Sequence, residues 1–171
     1  MQSHFELFGL PPAFSLEKDL LEKAYHDIQS RVHPDRFAHA GDAERRASLQ
    51  WTTRVNEAFQ ILKNPVARAK HLLELHGVDV AFETNTAMPP EFLMQQMELR
   101  EALEAAVGKK DSAAVDALRN GLREDKSVLE KQIGEAIDAK NDYAGAAELV
   151  RKLMFLGKLD EEIDLAYEAV E

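Results

Sequence analysis

Apolar residues recur at intervals of three and four along most of the chain, the period of helices buried on one side. Leu21, Tyr25, Ile28 and Val32 form the first clear stripe, preceded by Ser15 in a capping position and by Glu17 and Asp19 in the first turn. His33-Pro34-Asp35 interrupts it. Proline removes a backbone donor and disfavours helical geometry in the residue before it, so Val32 is expected to be the last helical position. A loop containing Gly41 follows, and Asp42 stands where it can cap a long helix carrying Leu49, Val55, Phe59 and Leu62. Asn64-Pro65 punctuates that helix, and a short helical stretch from Arg68 to Leu75 stops at Gly77. Together with a short helix near Phe5 to Gly9 and a turn at Pro11-Pro12, these elements predict an antiparallel helical hairpin with two accessory helices. Trp51 is expected in its core.

The period is lost over residues 78 to 90, which end in Pro89-Pro90 and favour an extended connection. Three long helical patterns follow, at 91 to 107, 112 to 139 and 142 to 169, separated only by Gly108-Lys109-Lys110-Asp111 and Asn141-Asp142. Loops this short make neighbouring helices antiparallel. The predicted fold is therefore all-α: a first domain over 1–77, a linker over 78–90 and a three-helix bundle over 91–171.

The first bundle helix has more apolar residues than one core face can use. With Phe92 set at 0°, Leu99, Leu103 and Ala106 fall within about 40° of it, at 100° per residue. Leu93, Met97 and Met94 fall near 100°, 140° and 200°, among Glu98, Glu101 and Glu104 at about 120° to 240°. The last helix is similar: Leu149, Leu153, Leu156, Leu159 and Ile163 make one stripe, with Phe155 about 100° and Met154 about 160° off it. These surplus side chains either pack against neighbouring helices or form an exposed apolar patch studded with carboxylates. Taken together they favour a binding surface.

Composition narrows the possibilities. The absence of cysteine excludes disulfides, thiol catalysis and thiolate zinc sites. Met1-Gln2-Ser3-His4 has neither the basic nor the apolar region of a signal peptide, and no apolar run approaches membrane-spanning length, so a soluble cytoplasmic protein is expected. The net charge of −10 is unevenly distributed. Ten basic and ten acidic residues balance over 1–77, leaving 11 basic and 21 acidic ones beyond, while all six histidines lie in the neutral part. An acidic bundle repels nucleic acid and anionic membranes and suits a basic partner surface.

His33-Pro34-Asp35 can be a helix stop, a metal or acid–base site, or a docking element. Catalysis lacks companions: His71 and His76 are five residues apart and His26 and His33 seven apart, neither matching the i, i+4 ligand spacing of zincins. No phosphate-binding glycine loop or nucleophile motif accompanies them.

The setting of this tripeptide, with the run Val55-Asn56-Glu57-Ala58-Phe59-Gln60-Ile61-Leu62-Lys63-Asn64-Pro65 and Arg68-Ala69, resembles the J-domain family. Phe92-Leu93-Met94-Gln95-Gln96-Met97-Glu98-Leu99-Arg100-Glu101 and Val150-Arg151-Lys152-Leu153-Met154-Phe155-Leu156 are similar to the HscB family of J-type co-chaperones of iron–sulfur cluster assembly. The resemblance implies a non-enzymatic co-chaperone without its own cofactor or metal. His33, Pro34 and Asp35, flanked by Arg31 and Arg36 and joined by Lys23, would contact the ATPase and linker region of a DnaK-type chaperone of the HscA kind and promote its ATP hydrolysis. Asp35 is suited to a charge-assisted pair with a partner arginine, and Pro34 limits the entropy lost on docking. The resemblance further implies that Leu93, Met94, Met97 and Phe155 anchor an IscU-type scaffold protein, with Glu98 and Glu101 meeting its basic groups. Adaptation to another client, or self-association through the bundle, is the alternative. Many J-domains have Tyr where His71 stands, a change expected to matter only to packing. Lys18, Lys23 and Arg31 alternate with Asp19, Glu22 and Asp27, which suits a dedicated chaperone partner. No cysteine-rich zinc module of the eukaryotic relatives is present, so a bacterial-type member is the closer match.

Overall fold

A computed structural model describes residues 2–81 and 88–171, and these form helices joined by turns, with no strand among them. In the first part, α1 (His4–Leu7) is held by a reciprocal cap: the Glu6 N–H donates to Ser3 Oγ at 3.1 Å, and the Ser3 N–H to the Glu6 carboxylate at 3.4 Å. After it come α2 (Lys18–Val32), a 3-10 turn (Pro34–Phe37), α3 (Asp42–Lys63) and α4 (Pro65–Leu75). Helix α2 ends at Val32, as the following proline requires. Asn64 caps α4, its side-chain oxygen accepting from the Ala67 N–H at 3.0 Å, and Gly77 closes that helix with a φ of +73°.

Four expectations are corrected. Ser15 does not cap α2; the helix begins at Lys18 after Glu17, and the Ser15 N–H is used elsewhere. Gly41, not Asp42, is the residue preceding α3, so Asp42 acts in the first turn, where its charge suits the helix N-terminus and pairs with Arg45. Leu49 is 55% exposed, whereas Ser48 is buried. The reason is angular: Ser48 precedes Val55 by seven residues and lies within about 20° of it, while Leu49 precedes it by six and lies about 120° away. Trp51 is also outside the core, at 43% exposure, with the Arg54 guanidinium 5.3 Å over its ring. Helix α2 runs along the side of α3 that carries Ser48, Thr52 and Phe59, about 60° to 100° around the helix from Trp51.

The second part comprises α5 (Pro90–Gly108), α6 (Ser112–Gly134) and α7 (Tyr143–Val170). Asp111 and Asp142 cap α6 and α7, accepting from Ala114 and Gly145 N–H groups at 3.1 and 3.0 Å. Leu103, Val115, Leu122, Leu129, Ile133, Val150, Leu153, Leu156, Leu159 and Ile163 fill the space between them. Lys126 pairs with Asp160 at 2.5 Å and Arg100 with Glu162 at 3.1 Å, tying α7 to its two neighbours. Beyond Gly134 the backbone widens into one π-helical turn (Glu135–Ala139). That turn buries Ala136 and Ile137 and presents Asp138 to the first part.

Asp138 joins the two parts. Its carboxylate accepts from the Phe14 N–H at 2.8 Å and the Ser15 N–H at 2.9 Å. Arg68 secures the same loop from α4, donating through Nε to the Phe14 carbonyl at 2.8 Å and through Nη1 to the Leu62 carbonyl at 2.7 Å, with its guanidinium 4.8 Å over the Phe14 ring. Gly134 leaves room for that ring: a Cβ there would lie 3.2 Å from Phe14 Cδ1. Farther along, His76 stacks on Tyr143 at 4.0 Å, and Arg151 Nη1 donates to the Val80 carbonyl at 2.8 Å. Val80 is itself buried, so the segment expected as a connection from residue 78 is anchored at its start; residues 82–87 of it lie outside the described residues. Buried residues from both parts form one continuous core.

Asp138→Ala would leave two amides without their acceptor. Chemical denaturation should show a loss of about 1–3 kcal/mol, with Asp138→Asn intermediate because its carboxamide oxygen keeps one bond. A second prediction comes from His71, which does more than pack: its Nε2 accepts from the His4 N–H at 3.2 Å. Burial lowers the pKa of both imidazoles below the ordinary value near 6.5, with Arg54 adding to the effect at His4 while Glu57 and Glu74 oppose it, and with His4 adding to it at His71. Below pH 6.5 the unfolded chain therefore binds more protons than the folded one, so this contribution is present above that pH and is lost as pH falls from it through the lowered folded-state values. The urea midpoint should decline from pH 7 to 5, and His71→Phe should flatten the decline.

Candidate functional site

The His33-Pro34-Asp35 turn is built by its own side chains and held by α3. Pro34 forces His33 into an extended conformation, φ −57° and ψ 135°, and opens the 3-10 turn at a position where its missing N–H is not needed. His33 Nδ1 accepts from the Asp35 N–H at 3.2 Å, so the neutral ring carries its proton on Nε2. Asp35 Oδ2 lies 3.6 Å from that Nδ1, yet its side chain is 92% exposed. Behind the turn, the Val32 carbonyl, which α2 leaves without a helical partner, accepts from Ser48 Oγ and from Thr52 Oγ1 at 3.2 Å. Both hydroxyls come from α3, one turn apart. Tyr25 Oη reaches Asn56 Oδ1 at 2.7 Å and its ring stacks on Phe59 at 4.1 Å, fixing α2 along α3 below them.

The basic residues around the turn are not equivalent. Arg36 folds back, its Nη1 donating to the Ser30 carbonyl at 3.1 Å, and so braces the turn against the end of α2. Arg31 is exposed beside it. Lys23 is also exposed but lies eight residues earlier, about 12 Å along the helix axis, so it belongs to the face of α2 and not to the turn itself. Ser48 and Thr52 were absent from the expected set. Their only signal was a pair of hydroxyls, at helical spacing, facing the stripe that ends at Val32.

The second constellation lies on α5. Leu93, Met94 and Met97 are 41%, 60% and 60% exposed, with Glu98 and Glu101 exposed among them. Phe155 from α7 adjoins the face: it is half-buried and meets Phe92 edge-on, ring centroids 6.5 Å apart. Met154 does not join it. It lines a groove with Gln60, Ile61 and Val66 of the first part, on the other side of α7. Two features of this region were not expected. Gln96, a polar residue, occupies the buried stripe of α5, and Val128 of α6 is 53% exposed beside it.

Among the described residues no group of three or more His, Asp or Glu side chains could hold a metal ion, and no helix is long and apolar enough to cross a membrane. The arrangement is two exposed features on one core: an acceptor on a braced turn, and an apolar face ringed by carboxylates.

The chain is similar to known proteins over nearly its whole length. Residues 88–164 match the family model described as the HSCB C-terminal oligomerisation domain. The co-chaperone protein HscB homolog of Azoarcus sp. (strain BH72) is 51% identical, over 99% of this chain and 96% of that one. The solved structure of chaperone HscB from Vibrio cholerae superposes with a TM-score of 0.86 at 35% identity, covering 99% of this chain and all of the other. Human co-chaperone HscB gives a TM-score of 0.89 at 27% identity, covering 96% of this chain and 82% of its own.

Proposed function

The chain belongs to the HscB family of co-chaperones, and on that premise we propose that it binds an IscU-type iron–sulfur scaffold protein and delivers it to an HscA-type, DnaK-like chaperone in the cytoplasm, stimulating that chaperone's ATP hydrolysis. The observation that supports this most directly is the separation of two exposed docking features on one continuous core. A co-chaperone performs no bond chemistry. Its task is to hold a client and trigger another protein's ATPase, and a rigid carboxylate on a turn together with an apolar, acid-rimmed face is sufficient for that.

At the turn, Asp35 offers a solvated carboxylate whose backbone is already fixed by His33, Pro34 and the α3 hydroxyls, so little conformational freedom is lost on docking. Arg31 supplies a nearby exposed cation and Lys23 extends the basic character along α2, while Arg36 keeps the turn in position. On α5, Leu93, Met94 and Met97 supply adaptable apolar area with Phe155 at its edge, and Glu98 and Glu101 select a basic surface. The cluster is cargo of the scaffold and needs no ligand from this chain.

The description of the matching family model as an oligomerisation domain favours a second reading, self-association through the same face. Equilibrium sedimentation of the unmodified protein and of the variant changed at Leu93, Met94 and Met97 distinguishes the two.

Asp35→Asn and His33→Gln should each lower stimulation of the chaperone's ATP hydrolysis by tenfold or roughly more, while far-UV circular dichroism and scaffold binding stay unchanged. Full stimulation by both variants would exclude the turn as the trigger. Simultaneous alanine substitution of Leu93, Met94 and Met97 should weaken scaffold binding by roughly a hundredfold, abolish the synergy between scaffold and co-chaperone in the ATPase assay, and leave stimulation without scaffold intact. Scaffold affinity equal to that of the unmodified protein would reject the α5 face.

A further inference from the structure

Gln96 lies in the buried stripe of α5 between Phe92 and Leu99, 3% exposed, and its carboxamide nitrogen has no hydrogen-bond partner among the described residues. A buried donor left unpaired is unfavourable, and an apolar side chain of similar length, such as methionine, would remove the penalty. Nothing in the packing of the bundle accounts for a polar residue here.

Beside it a cavity of about 490 Å³ opens between α5, α6 and α7, with Gln96 in its wall. Phe92, Leu99, Leu129 and Leu156 make its apolar lining, and the 53% exposed Val128 carries that lining out to the surface. Glu98 and Asp125 line it with two carboxylates, against one cation, Lys152, whose amine sits 5.8 Å over the Phe92 ring. The volume is in the range of ligand-sized sites and admits an apolar side chain together with its adjoining main chain. Glu98 also belongs to the exposed face of α5, and Phe92 touches Phe155 at that face's edge, so groove and face are continuous around one helix.

We propose that this groove is a second contact for the scaffold protein, taking one of its apolar side chains while the adjacent main-chain carbonyl accepts a hydrogen bond from Gln96 Nε2 and a lysine or arginine of the scaffold meets Glu98 and Asp125. The terminal torsion of glutamine is soft, so the carboxamide can turn toward an arriving acceptor without moving α5. A polypeptide is the occupant because an apolar side chain and a carbonyl at fixed separation are what the lining and the unpaired donor require together, and the excess of carboxylate over ammonium selects a basic neighbour. The inference rests on the scaffold-binding reading above.

Titration calorimetry of the full chain with a metal-free, purified IscU-type scaffold tests it. Gln96→Met should raise the thermal midpoint and yet weaken the scaffold about tenfold, a combination that a purely structural glutamine does not give. Val128→Arg, at an exposed position, should leave the thermal midpoint in place and weaken the scaffold by a similar factor. If the alanine variant at Leu93, Met94 and Met97 loses binding while both groove variants bind like the unmodified protein, the groove is overturned and the α5 face stands. If the groove variants lose affinity and the alanine variant does not, the groove stands and the face assignment falls. A scaffold that fails to bind the unmodified protein overturns both.

Discussion

The carboxylate of Asp138 fixes the relation on which everything else in this molecule depends. By accepting from two consecutive amides of the loop before α2, it anchors the helical hairpin to the far end of α6, and Arg68 closes the same loop from the other side. The geometry needs an interruption in α6. A regular α-helical turn would carry residue 138 around by 100° per step with no widening, whereas the π turn over Glu135–Ala139 adds a residue to the turn and re-aims the side chain. Gly134 completes the fit, because the Phe14 ring lies where a β-carbon would crowd it. Deformation of the helix, a missing side chain and a loop of two prolines are thus one device.

Much of this architecture is legible along the chain because the strongest signals are periodic. Helix ends at Val32 and Leu75, the break after Gly108, and the core stripe of Leu103 and Ala106 with Leu153, Leu156, Leu159 and Ile163, follow directly from spacing, proline and glycine. The exposed triplet Leu93, Met94 and Met97 was legible for the same reason: three apolar residues that the stripe cannot use. Misreadings occurred where a different physical effect decided. Leu49 looked like core by type, but one residue of phase put Ser48 there, and a hydroxyl was required because the last carbonyl of α2 needed a donor. Trp51 is expected in the core, but the position of α2 leaves that side of α3 open. Asp138 gave no local sign, since it acts across more than 120 residues on backbone groups, and backbone groups carry no sequence identity; Arg68 entered only through the family likeness, its bond to the Phe14 carbonyl spanning 54 residues.

The division of charge acquires a physical meaning once the two parts share a core. The first part is neutral and the acidic excess lies beyond it, so under the proposed function a basic client would be steered to α5 and not to the turn. Within the first part, the exposed cation Arg31 precedes the exposed carboxylate of Asp35 by four residues, with Lys23 farther back along α2, an alternation that a single complementary surface can satisfy and a uniformly charged one cannot. Salt should therefore screen client encounter more than it disturbs the fold, whose junction relies on short hydrogen bonds to backbone groups.

Joining the turn and the α5 face through one core bears directly on the proposed function. If the hairpin and the bundle were linked only by a flexible strand of thirteen residues, a bound client would reach the chaperone with an effective concentration set by chain statistics, spread over every orientation. Fixing the loop at Phe14 and Ser15 to Asp138, Val80 to Arg151 and His76 to Tyr143 removes most of that freedom before any partner arrives. The ordering entropy is then lost on folding, once, and not in each encounter. Under the proposed function, a client held on α5 would be presented in a narrow range of directions relative to Asp35. Coupling between client and ATPase can arise from that geometry alone, with no conformational change in the co-chaperone.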